Sequence, residues 1–219
     1  DVGMVGATSR EVFEGGDISF LDSSARKTAR RINYFDEAAR NIGVINSSSV
    51  AVKREVFSHL GGFRDFKYGE DLEYWARVAI HYPVAKSNRP TVTYYRGNGG
   101  AIENMMRDSA CPQRPVPRSL SDISPSVQTL ADYLNDLPRR SRLKQSIIRY
   151  INSRVAQGIR GAFIRSDIRR MKALRALCIR PHAGWWQRGW WLLSVLPSAT
   201  LVWASHCREF LKRNYHKLR

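Results

Sequence analysis

Cysteine is scarce in this sequence: Cys111, Cys178 and Cys207 are the only three among 219 residues. They lie far apart and form no Cys-x-x-Cys pair, which argues against a disulfide framework and a thiolate zinc site and favours a reducing compartment. Long apolar runs are also missing. The nearest approach is residues 189–205, 17 residues with Pro197 inside them, which is marginal for a hydrocarbon core of about 30 Å. Acidic residues are scarce in the second half alone. Residues 1–110 carry 15 basic and 14 acidic side chains, and residues 111–219 carry 21 and 5, so nearly all of the formal +17 belongs to the second half. That distribution excludes a uniformly basic nucleic-acid-binding domain and predicts a near-neutral folded unit followed by a cationic region. With 43% hydrophobic residues the chain has enough apolar surface for a packed core, so wholesale disorder is excluded as well.

Strand and helix signals are mixed over the first hundred residues. Residues 2–7 read as a buried strand that opens the chain directly, which predicts a piece of a longer protein whose missing strands would pair with it. Glu14-Gly-Gly-Asp17 is a turn signal ahead of Ile18-Ser-Phe-Leu21, giving a short hairpin. Helix and loop compete over residues 23–41. Asn46-Ser-Ser-Ser-Val-Ala-Val52 is a loop feeding a strand. Residues 53–60 form a short helix with Val56, Phe57 and Leu60 on one side and Gly61-Gly62 as its stop. Leu72, Trp75, Ala76 and Ala79 recur at helical spacing over residues 70–82, and Glu73 with Arg77 is an i,i+4 pair worth about 0.3 to 0.5 kcal/mol if exposed. Two short strands, 84–87 and 91–95, flank a turn at Asn88-Arg-Pro90 and complete an α/β domain over residues 1–108.

Beyond it the text changes. Five prolines between residues 109 and 138 predict a linker over 109–140, with one short helix near 126–135. Leu143, Ile147, Ile148, Ile151 and Val155 form one apolar stripe, and Ile164, Ile168, Met171, Leu174 and Cys178 form a second. A basic helical hairpin over 141–180, broken near Gly158 and Gly161, is the simple reading. Residues 181–219 hold five of the six tryptophans.

The sharpest chemical feature is the pair Glu70-Asp71 at the start of the third helical pattern. A helix N-terminus favours negative charge, and a carboxylate there is a competent proton acceptor for a hydroxyl within hydrogen-bond reach. Plain first-turn capping is the competing reading. Gly61 and Gly62 are either a helix C-cap or a place where a ligand approaches the backbone. Trp75 lies on the apolar stripe and is read as core. Ser47, Ser48 and Ser49 either line a pocket or form a turn. Arg77 is read as pairing with Glu73 at the surface or with Glu70 near the site.

The ordered set Asn46-Ser-Ser-Ser-Val50, Arg54-Glu-Val-Phe57, Gly61-Gly-Phe63, Gly69-Glu-Asp71, Trp75-Ala-Arg77 and Tyr95-Arg96 resembles the C-terminal half of family 2 glycosyltransferases, which have the Rossmann-like GT-A fold. The resemblance covers about residues 3–96. It implies inverting transfer of a sugar from a nucleotide-diphosphate donor to a hydroxyl of a sugar or lipid-linked acceptor, in cell-envelope or polysaccharide biosynthesis. On that likeness Asp71 is the base that deprotonates the acceptor, and Glu70 orients it. Ser48, Ser49, Gly61, Gly62, Phe63 and Arg77 are the substrate-binding positions, with Phe63 a packing or stacking surface.

Two departures stand out. The donor-side βαβ unit and the Asp-x-Asp that holds Mg²⁺ or Mn²⁺ against the diphosphate are absent, so the resemblance covers the acceptor half only and the isolated chain is expected to be inactive. Many relatives carry a metal-reaching His after the Tyr-Arg strand end, where this chain has Gly97-Asn98-Gly99-Gly100. Asn98 is the weak oxygen ligand available there, and a glycine-rich turn is the alternative. Gln-x-x-Arg-Trp, found in processive synthases, is absent as well.

The nearly uncharged, tryptophan-rich segment flanked by Arg188, Arg208, Lys212 and Arg213 predicts amphipathic helices lying on an anionic membrane surface. Packing of the tryptophans on the catalytic domain or another subunit, and a true transmembrane span, are the alternatives. With the resemblance, the membrane-surface reading places the protein in the cytoplasm, peripheral on the inner face of the cell membrane. Nucleic acid is the weaker anionic partner, because no recognition motif accompanies the charge. A non-enzymatic basic module, with the α/β part as scaffold, is the competing functional reading.

Overall fold

The computed structural model describes residues 1–13, 29–96 and 115–179, with isolated positions at 189, 192, 196 and 200. The expected hairpin at 14–21, Asn98 and all five clustered tryptophans lie outside the described residues. The chain divides into two compact units, Asp1–Arg114 and Pro115–Arg219.

The first unit is a mixed α/β structure built on a four-stranded sheet of order β2-β4-β1-β3. Strand β1 (Met4–Phe13) runs parallel to β4 (Val84–Arg96) and antiparallel to the short β3 (Val50–Val52), while β2 (Ala29–Ile32) pairs antiparallel with β4. Both neighbours of β1 come from within the chain, so the expectation that it lacked strands to pair with does not hold. Strand β1 also continues six residues past the predicted stop at Ala7, because β4 supplies a partner over its whole length.

The predicted turn at Asn88-Arg-Pro90 is instead an irregularity inside one strand. The register on β1 jumps from Ser87 to Pro90 and then to Val92. Pro90 has no N–H for the ladder, and an irregular position of this kind is where a strand tolerates it. The loosened polar groups find partners locally: Thr8 Oγ1 donates to the Ser87 carbonyl at 3.1 Å, and the Arg89 N–H donates to Ser87 Oγ at 3.2 Å.

Among the described residues, this unit has three α-helices. Helix α1 (Tyr34–Arg40) settles the ambiguous stretch; Asn33 caps it by accepting the Asp36 N–H, and Tyr34, Phe35 and Ala38 are buried. Helix α2 (Arg54–Leu60) stops at Gly61, whose φ of +75° is a conformation that glycine adopts without steric cost. Helix α3 (Glu70–His81) buries a continuous run from Glu73 to Val78, far more than one apolar stripe. Met4, Phe35, Val56, Tyr74, Trp75 and Val78 are among the residues of the core.

Gly3, just before β1, and Gly6, within it, make this packing possible. A Cβ on Gly3 would meet Tyr82 Cβ at 2.6 Å, and one on Gly6 would meet Ile45 Cγ1 at 2.7 Å.

The second unit is helical. Helix α4 (Pro125–Leu134) is capped by Ser124 and opens on a proline, α5 (Arg142–Ile164) is capped by Ser141, and α6 (Ile168–Ala176) is capped by Asp167. Residues 125–134 are thus part of a helical core, with Val127 and Leu130 buried, instead of a separating linker. Nor does the chain break at Gly158 and Gly161. Helix α5 continues through both, and a Cβ on Gly158 would meet Leu174 Cδ1 at 3.1 Å, so this glycine is where α6 packs closely. The reversal comes later, at Ser166, which has a left-handed φ of +57°.

Asn152, fully buried in α5, clamps the chain leaving α6. Its Oδ1 accepts the Ile179 N–H at 2.8 Å, and its Nδ2 donates to the Ile179 carbonyl at 2.7 Å. Among the described residues, no helix is long and apolar enough to cross a membrane.

Replacing Gly6 by Ala is expected to cost about 1 to 3 kcal/mol, from overpacking against Ile45 in the centre of the sheet. Urea unfolding measures it, and an unchanged midpoint would show that Ile45 yields freely.

Candidate functional site

The site is assembled at the N-terminal end of α3. Gly69 enters the helix in a left-handed conformation, φ +80°, and offers no side-chain cap, so Glu70, Asp71 and Glu73 gather in the first turn around unsatisfied amides. The three carboxylates have different fates. Glu70 and Asp71 are half-buried at the helix end, whereas Glu73 is fully buried.

Asp71 is held on both oxygens. Its Oδ1 accepts the Leu72 N–H at 2.7 Å, and its Oδ2 accepts the Ser47 hydroxyl at 2.7 Å. Ser47 sits in a single 3₁₀ turn, Ser47–Ser49, that precedes β3 and is capped by Asn46. An ionised carboxylate offers about four lone-pair sites, so two of these bonds leave room for a further donor.

The other serines divide differently from the sequence expectation. Ser48 is exposed, with its N–H on the Asn46 side chain. Ser49 is buried and donates to the Ala7 carbonyl at 2.9 Å, so it ties the 3₁₀ turn to β1 and lines no open surface. Nothing in the sequence singles out Ser47 among the three serines, and it is the one that touches Asp71.

Arg77 is likewise a correction. The guanidinium is buried and donates to Glu73 Oε1 at 3.0 Å, to Glu73 Oε2 at 3.1 Å, to the Gly62 carbonyl at 2.8 Å and to the Leu60 carbonyl. Its hydrogen-bonding capacity is nearly used up, and neither a substrate contact nor a pair with Glu70 is its role. Nor is the pair with Glu73 at the surface: the two side chains are 9% and 0% exposed. Arg64, half exposed, adds a second cation 3.3 Å from Glu73 Oε1. Arg77 therefore fastens the end of α2 and the Gly61–Gly62 turn onto α3. What this clamp presents is open: a Cβ on Gly61 or Gly62 would meet nothing within 4 Å.

Phe63 follows the turn and is 52% exposed. One face packs inward, with ring centroids 4.8 Å from Tyr74 and 5.8 Å from Trp75. Trp75 is 1% exposed, as core. The Tyr74 hydroxyl and Trp75 Nε1 are buried without a hydrogen-bond partner among the described residues. Burial raises the Tyr74 phenol above its ordinary value, against the pull of Arg77. At the far end of α3, burial, His59 and Arg77 together hold His81 below the ordinary imidazole value, so the contact with His59 carries no added charge from His81 at neutral pH.

Among the described residues, no cluster of His, Cys, Asp or Glu is arranged to hold a metal ion. Asn98, the oxygen ligand that the sequence offers toward the divalent cation implied by the resemblance, lies outside the described residues.

No family model, curated protein or solved structure matches this chain.

Substituting Arg77 by Met is expected to destabilise the chain by about 3 to 5 kcal/mol, with Arg64 recovering part of the loss, because Glu73 is left charged and buried. The double change Glu73→Leu, Arg77→Met should be markedly more stable than Arg77→Met alone. Chemical unfolding of the three proteins checks this, and equal stability of the single and double variants would contradict it.

Proposed function

We propose that the first unit is the acceptor-side half of an inverting glycosyltransferase of the GT-A fold, with Asp71 as the general base. The observation that carries this reading is the Asp71 carboxylate itself. It is half-buried at a helix N-terminus and already receives an alcohol O–H, that of Ser47, at 2.7 Å. An acceptor hydroxyl at comparable distance would pass its proton to the carboxylate as its oxygen attacks the anomeric carbon. An alcohol is a weak nucleophile until that proton is being removed.

Glu70, one residue earlier at the same helix end, orients the acceptor or the base. On this reading the exposed Ser48, next to Ser47, and the open Gly61–Gly62 turn are acceptor-binding positions. The nucleotide-sugar donor and its Mg²⁺ or Mn²⁺ belong to a donor-binding half that these residues do not include, and no step is assigned to the metal.

Support for the membrane reading comes from the second unit. Arg139, Arg140, Arg142, Arg160, Arg165 and Arg169 are exposed around the helices, while Met171 and Leu174 face inward. Such a cationic surface favours anionic headgroups, and the nearly uncharged, tryptophan-rich sequence that follows suits an interface. A lipid-linked acceptor on the cytoplasmic face would bring both units to the same surface.

In a polypeptide carrying the donor-binding half, Asp71→Asn should lower transfer by at least about 10² to 10⁴ while leaving donor affinity largely intact. A fully active Asp71→Asn enzyme would remove Asp71 from the base role. The 219-residue chain should sediment with phosphatidylserine-containing vesicles in a salt-sensitive manner and lose this on deletion of residues 183–219. Equal sedimentation with neutral phosphatidylcholine vesicles would refute the electrostatic part.

A further inference from the structure

The exposed apolar residues of the first unit are of one kind. Among its described residues the large ones are Phe57 at 38%, Phe63 at 52%, Tyr68 at 51% and Tyr95 at 50% exposed, and none is aliphatic. Two of them share a support. Phe57, on α2, stacks on the Tyr74 ring at 5.2 Å with 26° between planes, and Phe63 leans on the same ring at 4.8 Å. Their centroids are therefore no more than about 10 Å apart, each ring with its inner side packed and much of its area open to water.

Tyr74 stands three residues after Asp71 on α3, which makes the two neighbours along the helix surface. Tyr74, the support of both rings, thus stands about one helical turn along α3 from Asp71. Tyr68, immediately before Gly69, flanks the same helix end and carries Lys67 Nζ 5.6 Å from its ring centre.

Resting on the reading of Asp71 as an acceptor base, we propose that Phe57 and Phe63 are a stacking platform for the acceptor, and that the acceptor end is a carbohydrate chain of at least two sugar rings. The negative face of an aromatic ring attracts the partly positive C–H hydrogens on one face of a pyranose. The sugar's hydroxyls then point sideways, toward groups that can bond them. Here those are Asp71, Glu70, Ser47 and Ser48, the polar and half-buried or exposed residues at the helix end.

A lipid chain asks for something else, a continuous aliphatic surface, and the exposed set offers none. The clamp by Arg77 adds rigidity, because it fixes the Leu60 and Gly62 carbonyls on either side of the turn that joins the two rings.

Saturation-transfer NMR on the 219-residue chain tests this with chitotriose, cellotriose and maltotriose, each against its monosaccharide. At least one trisaccharide should bind at least about tenfold more tightly than its monosaccharide, with transfer strongest at ring C–H protons. Phe57→Ala and Phe63→Ala should each weaken that binding several-fold, and Phe57→Tyr and Phe63→Tyr should retain it in proteins of unchanged circular dichroism. Absence of transfer to all three, or binding indifferent to both alanine changes, overturns the platform. The base reading is judged separately. Asp71→Asn should keep trisaccharide binding while losing transfer in the complete enzyme, so an active Asp71→Asn enzyme with ring-dependent binding removes the base and keeps the platform.

Discussion

The buried ion pair between Glu73 and Arg77 is the constraint on which the candidate site depends. Taking both charges out of water is costly, and only good geometry and full use of the remaining donors make it tolerable. Here the guanidinium is bidentate on the carboxylate and gives two of its other three hydrogens to the Leu60 and Gly62 carbonyls. The pair thus connects elements that the chain separates by a loop. It fixes the end of α2, the glycine turn and the middle of α3 as one piece, with the Tyr74 ring under the guanidinium at 5.0 Å.

From that clamp the placement of the other groups follows. Because α3 is anchored along its buried length, its N-terminal turn projects Glu70 and Asp71 at a defined edge. The Ser47–Ser49 turn reaches the same edge through two different bonds: Ser49 ties it to β1, and Ser47 meets Asp71. Gly3 admits Tyr82 at the start of β1 and Gly6 admits Ile45 on the strand itself, which brings the end of α3 and the chain before β3 close to the sheet. The same economy of small residues recurs in the second unit, where Gly158 admits Leu174.

The two units divide the labour by charge. In the first, cations are largely matched by anions, and the strongest match is internal. In the second, Arg139, Arg140, Arg142, Arg160, Arg165 and Arg169 are exposed outside a core made by Ile147, Ile151, Ile159, Met171 and Leu174. A surface of that sign acts over about a Debye length on any anionic partner and says nothing of chemistry, while the Asp71 edge acts only at contact distance. The enzymatic and membrane readings therefore rest on different physics and stand or fall apart.

Much of the local structure was written in the residues. Helices α2 and α3 were marked by periodicity, and by Gly61 and Pro83 at their ends; the apolar stripes of α5 and α6 identified their inner faces. The carboxylates at the head of α3 were visible for the same reason, since charge at a helix end is a local feature. What tertiary structure alone decided was every relation between distant segments. An i,i+4 pair looks the same in sequence whether exposed or buried, so only packing turned Arg77 from a surface or ligand-facing residue into a clamp. Three consecutive serines are equivalent until a 3₁₀ turn sends Ser49 to β1 and Ser47 to Asp71. Asn88-Arg-Pro90 is a turn by composition, yet β1 running alongside keeps it within one strand. Gly158 and Gly161 weaken a helix by propensity, but close approach of Leu174 to Gly158 and the burial of Ile159 and Ala162 carry α5 through them. The sequence by itself determined which residues bear charge and where α2 and α3 begin and end. Partners across the fold decided which of those charges are left to meet a ligand.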